Sequence, residues 1–335
     1  MKKIQRLLII LILSLFFTTA GYPQFGGFGK KILDKSTDIV SADGLNKILK
    51  QPQAISTNFK DVDKVGSKPP SFMEGETPQP LYLLPKASIG GFRLCAGFYE
   101  MTNKSYCLHA GTRGPSSGDG YMLAPVLGPK QEVVKLILKN GEGHPEVKQH
   151  SIQILLWAII ARTKFSDFGN DIKLTATILL SPKELLMLEG GVLGVLPSGL
   201  MARAKNQLPS AAQNIFEAEN NIRQLAASGN ASYEEMEKYA VLAGLTAQPD
   251  PGVPSGIWSL HPDGYYIRFF PHGYQQTTVQ IFVSQDVINK YPSLIYNAPN
   301  GIACPANVGA QRLAQTNEPL NPDYSKKLTI ICNAQ

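Results

Sequence analysis

The 335-residue chain is poor in charge, with 17% Asp, Glu, Lys and Arg, and it holds only four cysteines and two tryptophans. Its basic residues form no cluster interleaved with aromatics, which argues against a nucleic-acid partner. The formal charge of +6 comes from 32 basic and 26 acidic residues, and three of the basic ones, Lys2, Lys3 and Arg6, stand at the very N-terminus; without them the balance is 29 against 26, or +3. After residue 20 no apolar run is both long and uncharged enough to span a bilayer. The cysteine and histidine spacing matches no zinc signature, so no metal is expected. No Gly-Lys-Ser/Thr follows the Gly-rich stretch 111–120, so nothing marks a phosphate loop or a nucleotide cofactor. No internal repeat is visible.

What is present begins with an export signal. Lys2, Lys3 and Arg6 make a positive start, Leu7 to Phe17 is apolar apart from Ser14, and Thr18-Thr19-Ala20 supplies small residues for cleavage. The run is shorter than the ~20 apolar residues of a membrane helix. Residues 1–20 therefore read as a signal peptide, and the mature protein is expected in the periplasm, on the cell surface or outside the cell. No cysteine follows the apolar run to carry a lipoprotein anchor. In that oxidising setting an even cysteine count points to disulfides. Proximity in sequence favours Cys304–Cys332 and Cys95–Cys107, although three connectivities exist.

With 43% hydrophobic residues the chain can build a sizeable core. The pattern predicts an α+β protein with short N-terminal strands, a central helical region and a small C-terminal β-rich module. Residues 21–80, Gly-rich at FGGFGKK and Pro-rich at SKPPSFMEGETPQP, read as a flexible arm with one helix over Lys31 to Lys50. The α+β core is expected over 81–247. It opens with β-like runs LYLLP, GGFRLCAGFYE and SYCLHAG, the last two separated at Thr102-Asn103. Helices follow. One opens with Pro129 and carries Val133, Val134, Ile137 and Leu138 on one face, and a second spans roughly Val147 to Thr163. Ser181 with Glu184 and Ser232 with Glu235 are capping boxes. The segment 248–256 reads as a linker to the module at 257–335, where YYIRFF and TTVQIFV flank Pro271-His272-Gly273-Tyr274 as a hairpin.

One position in the helical region calls for chemistry. Gln153 lies within SIQILLWAII, on a helix too apolar to be solvated, where an unpaired amide costs about 1–3 kcal/mol. It must have partners or have reacted. Trp157 is four residues on and shares its face. Cys107 ends a predicted strand just before a Gly-rich loop whose backbone can approach closely. If the fold joins them, the Cys107 sulfur can attack the Gln153 side-chain carbonyl and expel ammonia, leaving an internal thioester.

The run SYCL, then ILKNGEGHPEV, then SIQILLWAII resembles the thioester domains of bacterial surface adhesins over residues 92–163. Those domains carry a Tyr-Cys pair and a downstream Thr-Gln-x-Ala-Ile-Trp helix. Tyr106, Cys107, Gln153 and Trp157 match in type and order, while Ile152, Leu155 and Leu156 stand at the motif's Thr, Ala and Ile. The resemblance implies a thioester between Cys107 and Gln153, shielded by Tyr106 and Trp157, that attaches the protein to an amine-bearing surface protein or glycan. That is single-turnover chemistry rather than enzyme catalysis. It also implies that Cys95 is not bonded to Cys107. The alternative is a non-catalytic, disulfide-stapled envelope or binding protein in which Gln153 is a hydrogen-bonded core residue. His109, His144 and His150 offer a weaker option, a cysteine-peptidase pair or a metal site, and His261 and His272 read as turn residues.

Overall fold

The computed structural model describes residues 52–62, 76–115, 118–189, 210–229, 231–241, 253–306 and 311–329, with three isolated positions between 190 and 209. The expected signal peptide, the helix at Lys31 to Lys50, most of the arm and Cys332 lie outside the described residues. Residues 52–335 form one unit.

The protein is α+β. Among the described residues the strands are β1 (Gln79–Pro80), β2 (Phe92–Arg93), β3 (Gly97–Cys107), β4 (Tyr121–Pro125), β5 (Ser259–Leu260), β6 (Tyr266–Pro271), β7 (Gln276–Val283), β8 (Ile295–Tyr296), β9 (Gly301–Pro305) and β10 (Leu313–Pro319). Its helices are α1 (Gln131–Gly141), α2 (Gln149–Ile160), α3 (Asn170–Leu179), α4 (Pro182–Glu189), α5 (Ser210–Ser228), α6 (Tyr233–Ala240) and α7 (Gln285–Lys290). Seven strands pair in the order β4-β9-β10-β3-β7-β6-β5, and β1 adds to β3 in parallel. The remaining pairings in this sheet are antiparallel. The Leu123 N–H donates to the Ser259 hydroxyl at 3.0 Å, linking β4 to β5, so the sheet is nearly closed on itself. Strands β2 and β8 make a separate ribbon.

Strand β3 lies in the middle of the sheet, between β10 and β7. Odd-numbered residues from Tyr99 to Cys107 face the interior and are buried, while Glu100, Thr102 and Lys104 alternate outward. The strand runs unbroken through Thr102-Asn103, where a turn was expected. Asn103 can stay inside because its amide nitrogen donates to Thr316 O at 2.6 Å and its oxygen accepts from Gln315 at 2.9 Å. LYLLP, expected as a strand, forms a 3-10 turn at Leu81–Leu83. The Tyr266–Pro271 and Gln276–Val283 hairpin is as the sequence predicts.

Because β3 lies between β7 and β10, the segment 257–335 is not a module apart: its strands complete the sheet begun by residues 97–125. The two regions share one core. Helix α1 buries Val133, Val134, Ile137 and Leu138, and α2 buries every residue from Ile152 to Ile160 except Ile154. The Ser181 and Ser232 caps form as expected, with Ser181 Oγ accepting from Glu184 N at 3.4 Å and Ser232 Oγ from Glu235 N at 3.2 Å. Among the described residues no helix is long and apolar enough to cross a membrane.

Candidate functional site

The site arises where β3 outruns its neighbour. On the β7 side the last ladder bond runs from Ser105 N to Gln275 O at 2.8 Å, and the chain then turns away. On the other side Leu108 N bonds Arg312 O at 2.8 Å, and the Cys107–Leu313 pair beside it is the non-hydrogen-bonded kind. The peptide groups of Cys107 therefore point to the vacated edge. A buried, unmet N–H and C=O there would be costly.

Helix α2 fills that edge with side-chain amides. Gln149 Nε2 donates to Ser105 O at 3.1 Å and to Gln275 O at 2.8 Å. One turn on, Gln153 Oε1 accepts from Cys107 N and Gln153 Nε2 donates to Cys107 O, both at 2.9 Å. The Gln153 carboxamide thus stands where a neighbouring strand's peptide group would stand. The same arrangement clamps its carbonyl carbon against the residue that carries the thiol.

Cys107 is a buried, reduced thiol. Its Sγ donates to His109 O at 2.8 Å. Burial pushes the thiol up to about 11, with the His109 carbonyl contact and the Trp157 indole opposing the rise. The Trp157 Nε1 makes no hydrogen bond of regular geometry, yet it lies close enough to the sulfur to exert that pull. Trp157 is fully buried and meets the rings of Tyr233 at 5.5 Å and Tyr274 at 6.1 Å. The Tyr233 and Tyr274 hydroxyls bond to each other, and Tyr274 donates to Glu237. Gln275 Nε2 donates to Tyr233 Oη at 2.7 Å, and the exposed His150 ring stacks on Tyr233 at 3.8 Å.

Of the four residues matched to the adhesin motif, three meet. Tyr106 does not: as the strand neighbour of Cys107 it points to the opposite face, where Glu318 and Glu142 lie near enough to reinforce the upward shift that burial gives its hydroxyl. The cover over Trp157 comes instead from Tyr233 and Tyr274, which no local pattern marks. The loop after Cys107 does approach closely. Gly111, at φ +73°, would place a Cβ 2.9 Å from Ile215 Cα of α5, so only glycine fits there without a shift.

Of the two expected disulfides, Cys95–Cys107 is not formed. Cys304 on β9 is held by Arg312 Nη1 at 2.7 Å, and Cys332, its expected partner, lies outside the described residues. Cys95–Cys107 is excluded by length: β3 extends about 3.3 Å per residue, which parts its ends by roughly 30 Å, against the ~7 Å limit between bridged Cα atoms. Cys95 is disulfide-bonded, but not to Cys107.

The histidines do not build an alternative centre. Both ring nitrogens of buried His109 lack a hydrogen bond, and Cys107 meets its carbonyl rather than its ring, so the Cys-His arrangement of a peptidase is absent here. Burial, reinforced by the Arg312 cation, lowers His109 to about 3. His144 bonds Glu146 at 2.8 Å, His261 stacks on Tyr265 at 4.2 Å, and His272 meets Thr278 at 2.9 Å. Among the described residues no three His, Cys, Asp or Glu side chains gather as a metal site. Asp119, in the Gly-rich loop, forms an ion pair with Arg113 at 2.8 Å. No family model matches the chain, and neither a curated protein nor a solved structure shows significant similarity to it.

Proposed function

We propose that Cys107 and Gln153 form an internal thioester through which an exported protein attaches itself covalently to an amine on a surface protein or glycan. The observation that carries this reading is the two-bond clamp between the Gln153 carboxamide and the Cys107 peptide, next to a reduced thiol in a dry, aromatic-walled site. The Cys107 N–H already donates to the carbonyl oxygen that would become an oxyanion, which is the placement that stabilises acyl transfer.

In forming the thioester the sulfur bonds to the Gln153 side-chain carbon, the C–N bond breaks, and the thiol proton leaves with the nitrogen as ammonia. In attachment an amine nitrogen bonds to that carbon, the C–S bond breaks, and an amine proton restores the thiol. Each molecule reacts once. Intact-mass spectrometry is expected to find the protein lighter than its sequence by one ammonia, beyond signal removal and disulfide hydrogens. Methylamine should add to it, and Cys107→Ala should restore the mass and abolish the addition.

The completeness of the same two hydrogen bonds favours a second reading, in which Gln153 only caps the edge of β3 in a non-catalytic binding protein. Full mass with no methylamine adduct would establish that reading and end the first.

A further inference from the structure

From Cys107 outward, exposure increases along one direction. Trp157 is completely buried, Tyr233 and Tyr274 are each 8% exposed, Glu237 and Gln275 are half-buried, and His150 is at the surface. Contacts join these layers without a gap: indole to both phenol rings, the phenols to each other, Tyr274 to Glu237, and Tyr233 to Gln275 and His150. Tyr233 is also close enough to the Cys107 sulfur for that charge to reinforce the upward shift that burial gives its hydroxyl. Two tyrosine side chains, tied by their hydroxyls, therefore stand between the dry site and water.

We infer that the Tyr233–Tyr274 pair is the door to the Cys107–Gln153 site, and that Glu237 at its mouth receives an alkylammonium ion and takes its proton. The second half rests on the thioester reading; the first does not. Parting the two rings opens the site, because the groups beyond them already meet solvent. An arriving ammonium ion replaces the Tyr274 hydroxyl as the partner of the Glu237 carboxylate, which frees Tyr274 from one of its two tethers. The N–H proton passes to the carboxylate, and the neutral amine moves past the rings to the acyl carbon. Its nitrogen bonds to that carbon as the C–S bond breaks. A second amine proton goes to the sulfur, and Glu237 returns its own proton to water. A neutral nucleophile has no use for Glu237.

The test uses the full secreted protein with Tyr233→Ala, Tyr274→Phe and Glu237→Gln, with thermal melting as a check of folding. Where the missing ammonia is observed, both tyrosine variants should take up methylamine about tenfold faster, the effect of losing roughly one hydrogen bond from the closed state. Glu237→Gln should slow methylamine while leaving hydroxylamine, neutral at the same pH, as fast as or faster than in the parent. Where no ammonia is missing, the thiol itself reports: iodoacetamide should modify Cys107 faster in both tyrosine variants, which sustains the door, while the role given to Glu237 falls with the thioester. Tyr274→Phe keeps the ring and the packing, so it remains informative if Tyr233→Ala unfolds. Unchanged rates of both reagents in folded Tyr274→Phe overturn the door, and equal effects of Glu237→Gln on methylamine and hydroxylamine overturn the proton acceptor.

Discussion

Two buried thiols lie two strands apart in one sheet, and their surroundings differ in kind. Cys107, inside the sheet, faces a carboxamide and an indole. Cys304 faces outward from β9 and meets a guanidinium, with Arg312 Nη1 at 2.7 Å and its Nη2 on Asn58 O at 3.0 Å. Burial raises both, Cys107 to about 11 and Cys304 to about 12, the latter despite the cation beside it. Thiolate supply therefore does not set them apart. What sets Cys107 apart is an acyl carbon clamped against its own backbone, whereas the contact shown at Cys304 is the Arg312 guanidinium. Reactivity at Cys107 is a matter of proximity, which can replace acidity when the partners are held together.

The largest expected effect comes from breaking the dry wall. Trp157→Ala removes a fully buried indole and should cost about 3–5 kcal/mol of stability, measured by denaturant unfolding. Next is Gln153→Leu, which keeps volume but leaves the N–H and C=O of Cys107 unpaired. It should cost about 2–4 kcal/mol, from the price of stranded buried polar groups. A Gln153→Leu variant as stable as the parent would mean that the edge of β3 is closed by something other than this amide, and the contrast between the two thiols would lose its basis.

Gln153 was legible in the sequence because a lone amide in an apolar helix must be explained, and Cys107 because it closes a strand before glycines. The rest of the site was not, since Tyr233 and Tyr274 meet only through contacts far apart in the chain. Thr102-Asn103 reads locally as a turn, and the groups that let Asn103 stay in a strand, Thr316 and Gln315, lie more than two hundred residues on. β4 escaped notice because four of its five residues are buried, which erases the alternation that marks a half-exposed strand. The C-terminal strands looked separate because a Pro-rich segment precedes them, and pairing with β3 is not a local signal.

His109 accepts from Cys107 through its carbonyl while its ring feels Arg312, the residue that holds Cys304, and it offers a pH test. Its folded pKa is about 3 against an ordinary 6.5. Between these values the unfolded chain binds a proton that the native protein refuses. Stability from this group is complete above about 6.5 and is lost as pH falls toward 3, with a slope of at most ~1.4 kcal/mol per pH unit. Carboxylates with lowered pKa add slopes of the same sign, so the quantity to measure is the difference between the parent and His109→Leu. Identical acid slopes would place the imidazole in water and remove the link between the thiols.

The smallest expected effect is the one that isolates the chemistry. Cys304→Ala deletes the sulfur that accepts from Arg312, but the guanidinium keeps Gln311 O at 2.9 Å and Asn58 O at 3.0 Å, so the loss should be about 1 kcal/mol. The protein should remain light by one ammonia and should still take up methylamine at the parent rate, because the proposed thioester is on Cys107. Non-reducing peptide mapping of the parent should recover Cys95 in a cross-link and Cys107 outside one. A Cys304→Ala protein that regains full mass would move the thioester to the other thiol, and the Gln153 clamp would then be an edge cap alone.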